Sequence, residues 1–120
     1  MTNRGSRLRV ILESPFAGDV AANVEYAKAC LLDSLMRGEA PYASHLLYTT
    51  VLDDNDLGQR HIGMDAGHAW VGAAELVVAY TDRGISQGMS ERLRLAHEAG
   101  LPVEYRSLEA GVAGYAATAP

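Results

Sequence analysis

Short apolar runs alternate along this chain with longer stretches in which apolar residues return every three or four positions. Residues 8–13, Leu8-Arg9-Val10-Ile11-Leu12-Glu13, read as a first strand that stops at Ser14-Pro15, with Ala17-Gly18-Asp19 as turn and cap residues. Over residues 20–37, Val20, Val24, Ala27, Leu31 and Leu35 recur at helical spacing between a capping Asp19 and a stop at Gly38. Residues 41–47 predict a second strand, and 48–56 a loop. Asp56 and Gln59 have the spacing of a capping box, and Ile62, Ala66, Ala69, Trp70 and Ala73 form one face of a second helix. Residues 76–80, Leu-Val-Val-Ala-Tyr, are apolar on both faces, as in the interior of a parallel sheet. A polar loop over 81–88 leads into a third helix carrying Ile85, Met89, Leu93, Ala96 and Ala99, stopped by Gly100 with Pro102 beyond. Residues 101–106 predict the last strand, and 108–120 a flexible tail of Ala and Gly beyond a domain of residues 1–107.

Strict alternation of strand and helix predicts a three-layer α/β/α domain. Its sheet should be open, mainly parallel and four-stranded, in the order 2-1-3-4, as in flavodoxin-like and Rossmann-like folds. Ligands of such sheets bind beyond the carboxyl ends of the strands, where strand order reverses. That rule singles out the loops after the first and third strands, residues 13–19 and 81–88, with His45, Tyr48 and Thr49 beside them.

Composition narrows the classes. With 120 residues, 48% hydrophobic and 21% charged, the chain is one globular domain's worth. A net charge of −5 argues against a nucleic-acid polymer as partner but leaves room for a nucleotide, which needs only local cations. The lone Cys30 lies among Ala29, Leu31 and Leu32 and reads as a packing thiol. Neither a signal peptide nor a membrane-length apolar run is visible, so a cytoplasmic protein without membrane partners is expected.

The first loop, Glu13-Ser14-Pro15-Phe16-Ala17-Gly18-Asp19, opens a helix whose free amides suit a phosphate or sugar hydroxyl, and Phe16 could stack on a base. It is also what an ordinary turn between strand and helix looks like. The second loop places Ser86 and Gly88 at a helix start but carries no P-loop or dinucleotide fingerprint. Asp82, at the end of a buried strand, could accept sugar hydroxyls or act as a base, or simply cap or pair with Arg83. The run Asp53-Asp54-Asn55-Asp56 lacks EF-hand spacing and reads as a solvated loop. His61, Asp65 and His68 could share a helix face, but exposed histidines explain the pattern more simply than a metal. No metal or other cofactor is expected.

Taken together, Ile11-Leu12-Glu13-Ser14-Pro15-Phe16-Ala17-Gly18, Asn23, Pro41 with His45, the aspartate run, Asp82-x-Gly84-Ile85-Ser86-x-Gly88-Met89 and Pro102-Val103-Glu104-Tyr105-Arg106 resemble the nucleoside 2-deoxyribosyltransferase-like superfamily. The likeness is greatest to a small bacterial and phage domain family of unknown function and spans about residues 8–108. It implies cleavage or exchange of an N-glycosidic bond through a carboxylate nucleophile on the helix after the third strand, assisted by an aspartate near that strand's end. Carried over, Asp82 takes the assisting place. Ungapped spacing puts Arg92 at the nucleophile's position, with Glu91 one residue early. One residue is about 100° of helix rotation, which turns Glu91 away from the core-facing Met89 stripe and keeps Arg92 beside it.

Two readings follow from the resemblance. In the first the protein is an N-glycosidase or deoxyribosyltransferase with Asp82 and Glu91 as catalytic residues, or with Glu13 or Asp82 as the substitute carboxylate. In the second it binds a nucleotide or nucleotide signal without chemistry, Arg92 gripping a phosphate. Both share the expected ligand-binding residues Glu13, Ser14, Pro15, Phe16, Gly18, His45, Tyr48, Ser86, Gly88, Met89 and Arg92. The short chain also implies a homodimer in which a second copy closes the site.

Overall fold

A computed structural model describes residues 7–109. The strands are β1 (Arg9–Glu13), β2 (Ala40–Tyr42), β3 (Leu76–Tyr80) and β4 (Val103–Arg106). The helices are α1 (Val20–Met36), α2 (Ser44–Leu47), α3 (Leu57–His68) and α4 (Gln87–Glu98), with single 3-10 turns at Tyr48–Thr50 and Val71–Ala73. The sheet runs β2-β1-β3-β4, and each neighbouring pair is parallel. The expected α/β architecture and strand order are therefore what the chain adopts.

Alternation along the two central strands builds a core on each side. Val10 and Leu12 of β1 join Val78 and Tyr80 of β3 beneath Tyr26 and Cys30 of α1. Ile11, Val77 and Ala79 face the other way and pack under Met89, Leu93 and Ala96 of α4. A period of two in the strands and of 3.6 in the helices dictates this division. Burial pushes the Cys30 thiol up to about 12, which suits a packing role. At the far edge Arg106 grips both carboxylate oxygens of Glu39, at 2.8 and 2.6 Å, tying β4 to the start of β2. Among the described residues no helix is long and apolar enough to cross a membrane.

Two expectations need correction. The second strand stops at Tyr42 instead of reaching Leu47. Pro41 lacks an N–H for further pairing, and the Ala43 carbonyl accepts from the amides of Leu46 and Leu47 at 3.1 and 3.2 Å, closing a turn of helix. The second helix ends at His68, and its expected apolar face is not buried: Ile62 is 60% and Trp70 50% exposed. Leu108, the first residue of the expected tail, packs against the α1-side core. Residues 110–120 lie outside the described part.

Candidate functional site

A cavity of about 240 Å³ opens beyond the carboxyl ends of β1 and β3, at the reversal of strand order. Its wall is built from four places in the chain. The end of β1 and its loop supply Glu13, Ser14, Phe16 and Ala17. The helical turns after β2 supply Ser44, His45, Tyr48, Thr49 and Leu52. Asp54 and α3 add Gln59, Arg60, Gly63 and Met64, and the start of α4 adds Ser86, Gln87, Gly88, Met89 and Arg92.

Glu13 and Arg92 form the floor. Arg92 is 2% exposed, and its Nη1 donates to Glu13 Oε2 at 3.1 Å. Its Nε donates to His68 Nδ1 at 2.9 Å, and Nη1 and Nη2 both reach Ser44 Oγ at 3.4 Å. Because His68 Nδ1 accepts, its Nε2 carries the proton and faces Glu91 Oε1 at 3.5 Å. Gly67 makes room for this cluster: a Cβ there would meet Arg92 Nη2 at 2.5 Å and Ser44 Oγ at 2.7 Å. Burial raises the Glu13 carboxyl to about 7, opposed by the Arg92 charge. No hydrogen bond among the described residues reaches Glu13 Oε1, the oxygen left to the cavity.

Buried Ser14 and half-buried His45 form a second pair, Oγ to Nε2, at 2.7 Å. The helical turn at Ser44–Leu47, where a strand was expected, is what brings His45 to this position. Burial, with the Arg92 charge, lowers the imidazole to about 4, so it is neutral near pH 7. The β1 loop is pinned from α1, where Asn23 Nδ2 donates to the carbonyls of Phe16 and Ala17, both at 3.0 Å. At the rim Arg60 pairs with Asp54 at 2.9 Å. Asp56 caps α3 through the amides of Gly58 and Gln59, fixing the direction of the helix that carries Arg60. Ser86 caps α4 by accepting from the Met89 amide at 3.3 Å, which places the helix's first turn at the cavity.

Of the residues singled out in the sequence, Glu13, Ser14, Phe16, His45, Tyr48, Ser86, Gly88, Met89 and Arg92 meet on this wall. Pro15 is buried but off the wall. Gly18 is also off it, and at φ 100° its role is the turn into α1. Asp82 and Glu91, the expected catalytic pair, do not line the cavity. Asp82 is engaged elsewhere, accepting from the Tyr26 and Ser107 hydroxyls, each at 2.5 Å, and from the Leu108 and Glu109 amides at 2.9 and 3.0 Å. Burial favours its protonated form, but these hydrogen bonds prevail and hold it well below the usual carboxylate range. Glu91 turns outward, as helix rotation predicts, into a groove between α3 and α4 shared with His61, Asp65 and His68. No three metal-ligating side chains among the described residues come together there or elsewhere.

A family model described as a domain of unknown function, DUF7768, matches residues 8–106. The chain belongs to the DUF7768 family. Every wall residue of the cavity falls inside that DUF7768 match. Among solved structures, a 2-deoxyribosyltransferase from the psychrotolerant bacterium Bacillus psychrosaccharolyticus matches with a TM-score of 0.60 and 18% identity, over 82% of this chain and 72% of that one. At that identity the likeness carries the fold, the one implied by the sequence resemblance. No curated protein matches this DUF7768 chain.

Sequence reasoning missed Ser44, Leu52, Asp54, Gln59, Arg60, Gly63, Met64 and Gln87 on the wall. A signal existed on α3: Arg60, Gly63, Met64 and Gly67 recur at i, i+3, i+4 and i+7 and form the inner face. A search by hydrophobicity passes over that stripe because it consists largely of glycine and arginine.

Proposed function

We propose that the cavity takes a nucleoside or nucleotide and that the protein acts on its N-glycosidic bond. The observation that carries this reading is a buried carboxylate, Glu13, at the floor of a cavity at the sheet's switch point. Its surroundings fit the ligand's parts. Phe16 and Tyr48 offer aromatic faces to a base. The first turn of α4, at Gln87 and Gly88, offers a positive helix end to a sugar hydroxyl or phosphate. The likeness to a 2-deoxyribosyltransferase adds support at the level of fold.

A second reading, binding without chemistry, is favoured by one observation: Arg92 stands inside the cavity while Asp82 and Glu91 stand outside it. One panel of nucleosides and 5′-monophosphates separates the two. Chromatography reads release of free base, and melting curves read binding. Ligand at a hundred times its dissociation constant adds about 2.7 kcal/mol of stability. Base release supports the enzyme, and a melting shift alone supports the binder. Flat curves with no base released contradict both.

The same proposal includes a homodimer. Leu57, Ile62 and Trp70 leave apolar surface exposed on and just after α3. A monomeric mass at micromolar concentration contradicts it.

A further inference from the structure

We propose that Glu13, with Arg92 as its fixed partner, is the carboxylate that forms a covalent bond to the sugar. The inference rests on the N-glycosidic reading above.

Four observations converge on Glu13. Among the described residues, Glu13 and Asp54 are the acidic side chains on the cavity wall, and Asp54 is paired with Arg60 at the rim. Glu13 is the last residue of β1, its backbone held in register with Ala79 of β3, so its position is set by the sheet and not by a loop. Arg92 engages Oε2 and is itself fixed by His68 and Ser44. The carboxylate is thus oriented with Oε1 free, which meets the demand of near-attack geometry for a group held in place before the substrate arrives. Arg92 also supplies the positive charge that keeps a buried carboxylate available as an anion. Arg92, at the position where the resemblance implies a nucleophilic glutamate, holds the Glu13 carboxylate at the end of β1.

Glu13 Oε1 bonds to the anomeric carbon as the carbon–nitrogen bond to the base breaks. The bonding pair leaves on the base nitrogen, which takes a proton from water and leaves hydroxide. A second water then attacks the anomeric carbon, and Oε1 departs with its pair as the carboxylate. The proton of that second water neutralises the hydroxide. A second base in place of the second water gives transfer instead of hydrolysis.

The test is trapping. Wild-type protein is incubated with 2-deoxy-2-fluoroarabinosyl nucleosides of purine and pyrimidine bases and their 5′-monophosphates, in which fluorine slows breakdown of a glycosyl ester. The expected result is an intact-mass increase of one fluorosugar, mapped by peptide fragmentation to Glu13. Glu13→Gln lowers base release from ordinary nucleosides by ~100-fold or more while the ligand-induced melting shift persists. Glu91→Gln keeps both. An adduct on another residue overturns the assignment. So does base release by the wild type without an adduct. Melting shifts with no base release overturn the assignment but leave the nucleoside cavity standing, whereas no shift and no release overturn the cavity reading too. Trapping on the wild type decides the matter even if Glu13→Gln fails to fold.

Discussion

Glu13 and Asp82 stand at the carboxyl ends of adjacent strands, β1 and β3, and their surroundings drive them in opposite directions. Glu13 is buried with one charged donor on one oxygen, and burial wins, lifting it to about 7. Asp82 is met by two hydroxyls and two amides, and donation wins, holding it ionised. A carboxylate whose oxygens are all satisfied is an anchor. One with an oxygen left to a cavity can take part in chemistry. Counting donors, more than position in the fold, separates the two roles.

The comparison can be broken at either end. The largest effect is expected from Arg92→Met, which leaves the Glu13 charge buried and unpaired. It should cost about 4 kcal/mol in urea melts at pH 8, and less at pH 5, where Glu13 is neutralised by a proton. Next is the pH slope of Glu13 itself. Its folded pKa is raised, so its contribution is full below the ordinary 4.5 and is lost as pH rises to about 7. Wild-type stability should therefore fall relative to Glu13→Gln by about 3 kcal/mol across that window.

Asp82 should show the reverse sign. Its folded pKa is lowered, so its contribution is present above the ordinary 3.8 and is lost as pH falls below it. Asp82→Asn should cost about 2 kcal/mol at pH 7, a difference that closes in acid, while ligand-induced melting shifts are retained. Smallest is Ser44→Ala. It removes two long 3.4 Å contacts to Arg92, at about 1 kcal/mol, and sharpens the comparison by testing how firmly the arginine must be held.

The same contrast explains what could be read from the chain. Residues 10–12 and 76–80 are apolar on both faces, the pattern of central strands in a parallel sheet, which fits the strand order β2-β1-β3-β4. The rotation of α4 was legible because Met89, Leu93 and Ala96 fix its inner face and thereby place Arg92 inside and Glu91 outside. The turn at Ser44–Leu47 was not legible, since Leu46 is equally suited to the core from a strand or from a helix. The partners of Asp82 were not legible for a different reason. Its donors include Ser107, Leu108 and Glu109, some 25 residues on, at the edge of a segment whose composition suggested looseness. Contacts between distant parts of the chain leave no local periodicity.

The most direct measurement is a site-resolved carboxyl NMR titration of the two residues, repeated with a nucleoside present. The account predicts a midpoint near 7 for Glu13, no titration of Asp82 down to the ordinary carboxylate range, and a ligand-induced shift confined to Glu13. A Glu13 midpoint near 4.5 with no response to ligand, or a response at Asp82 instead, would contradict it.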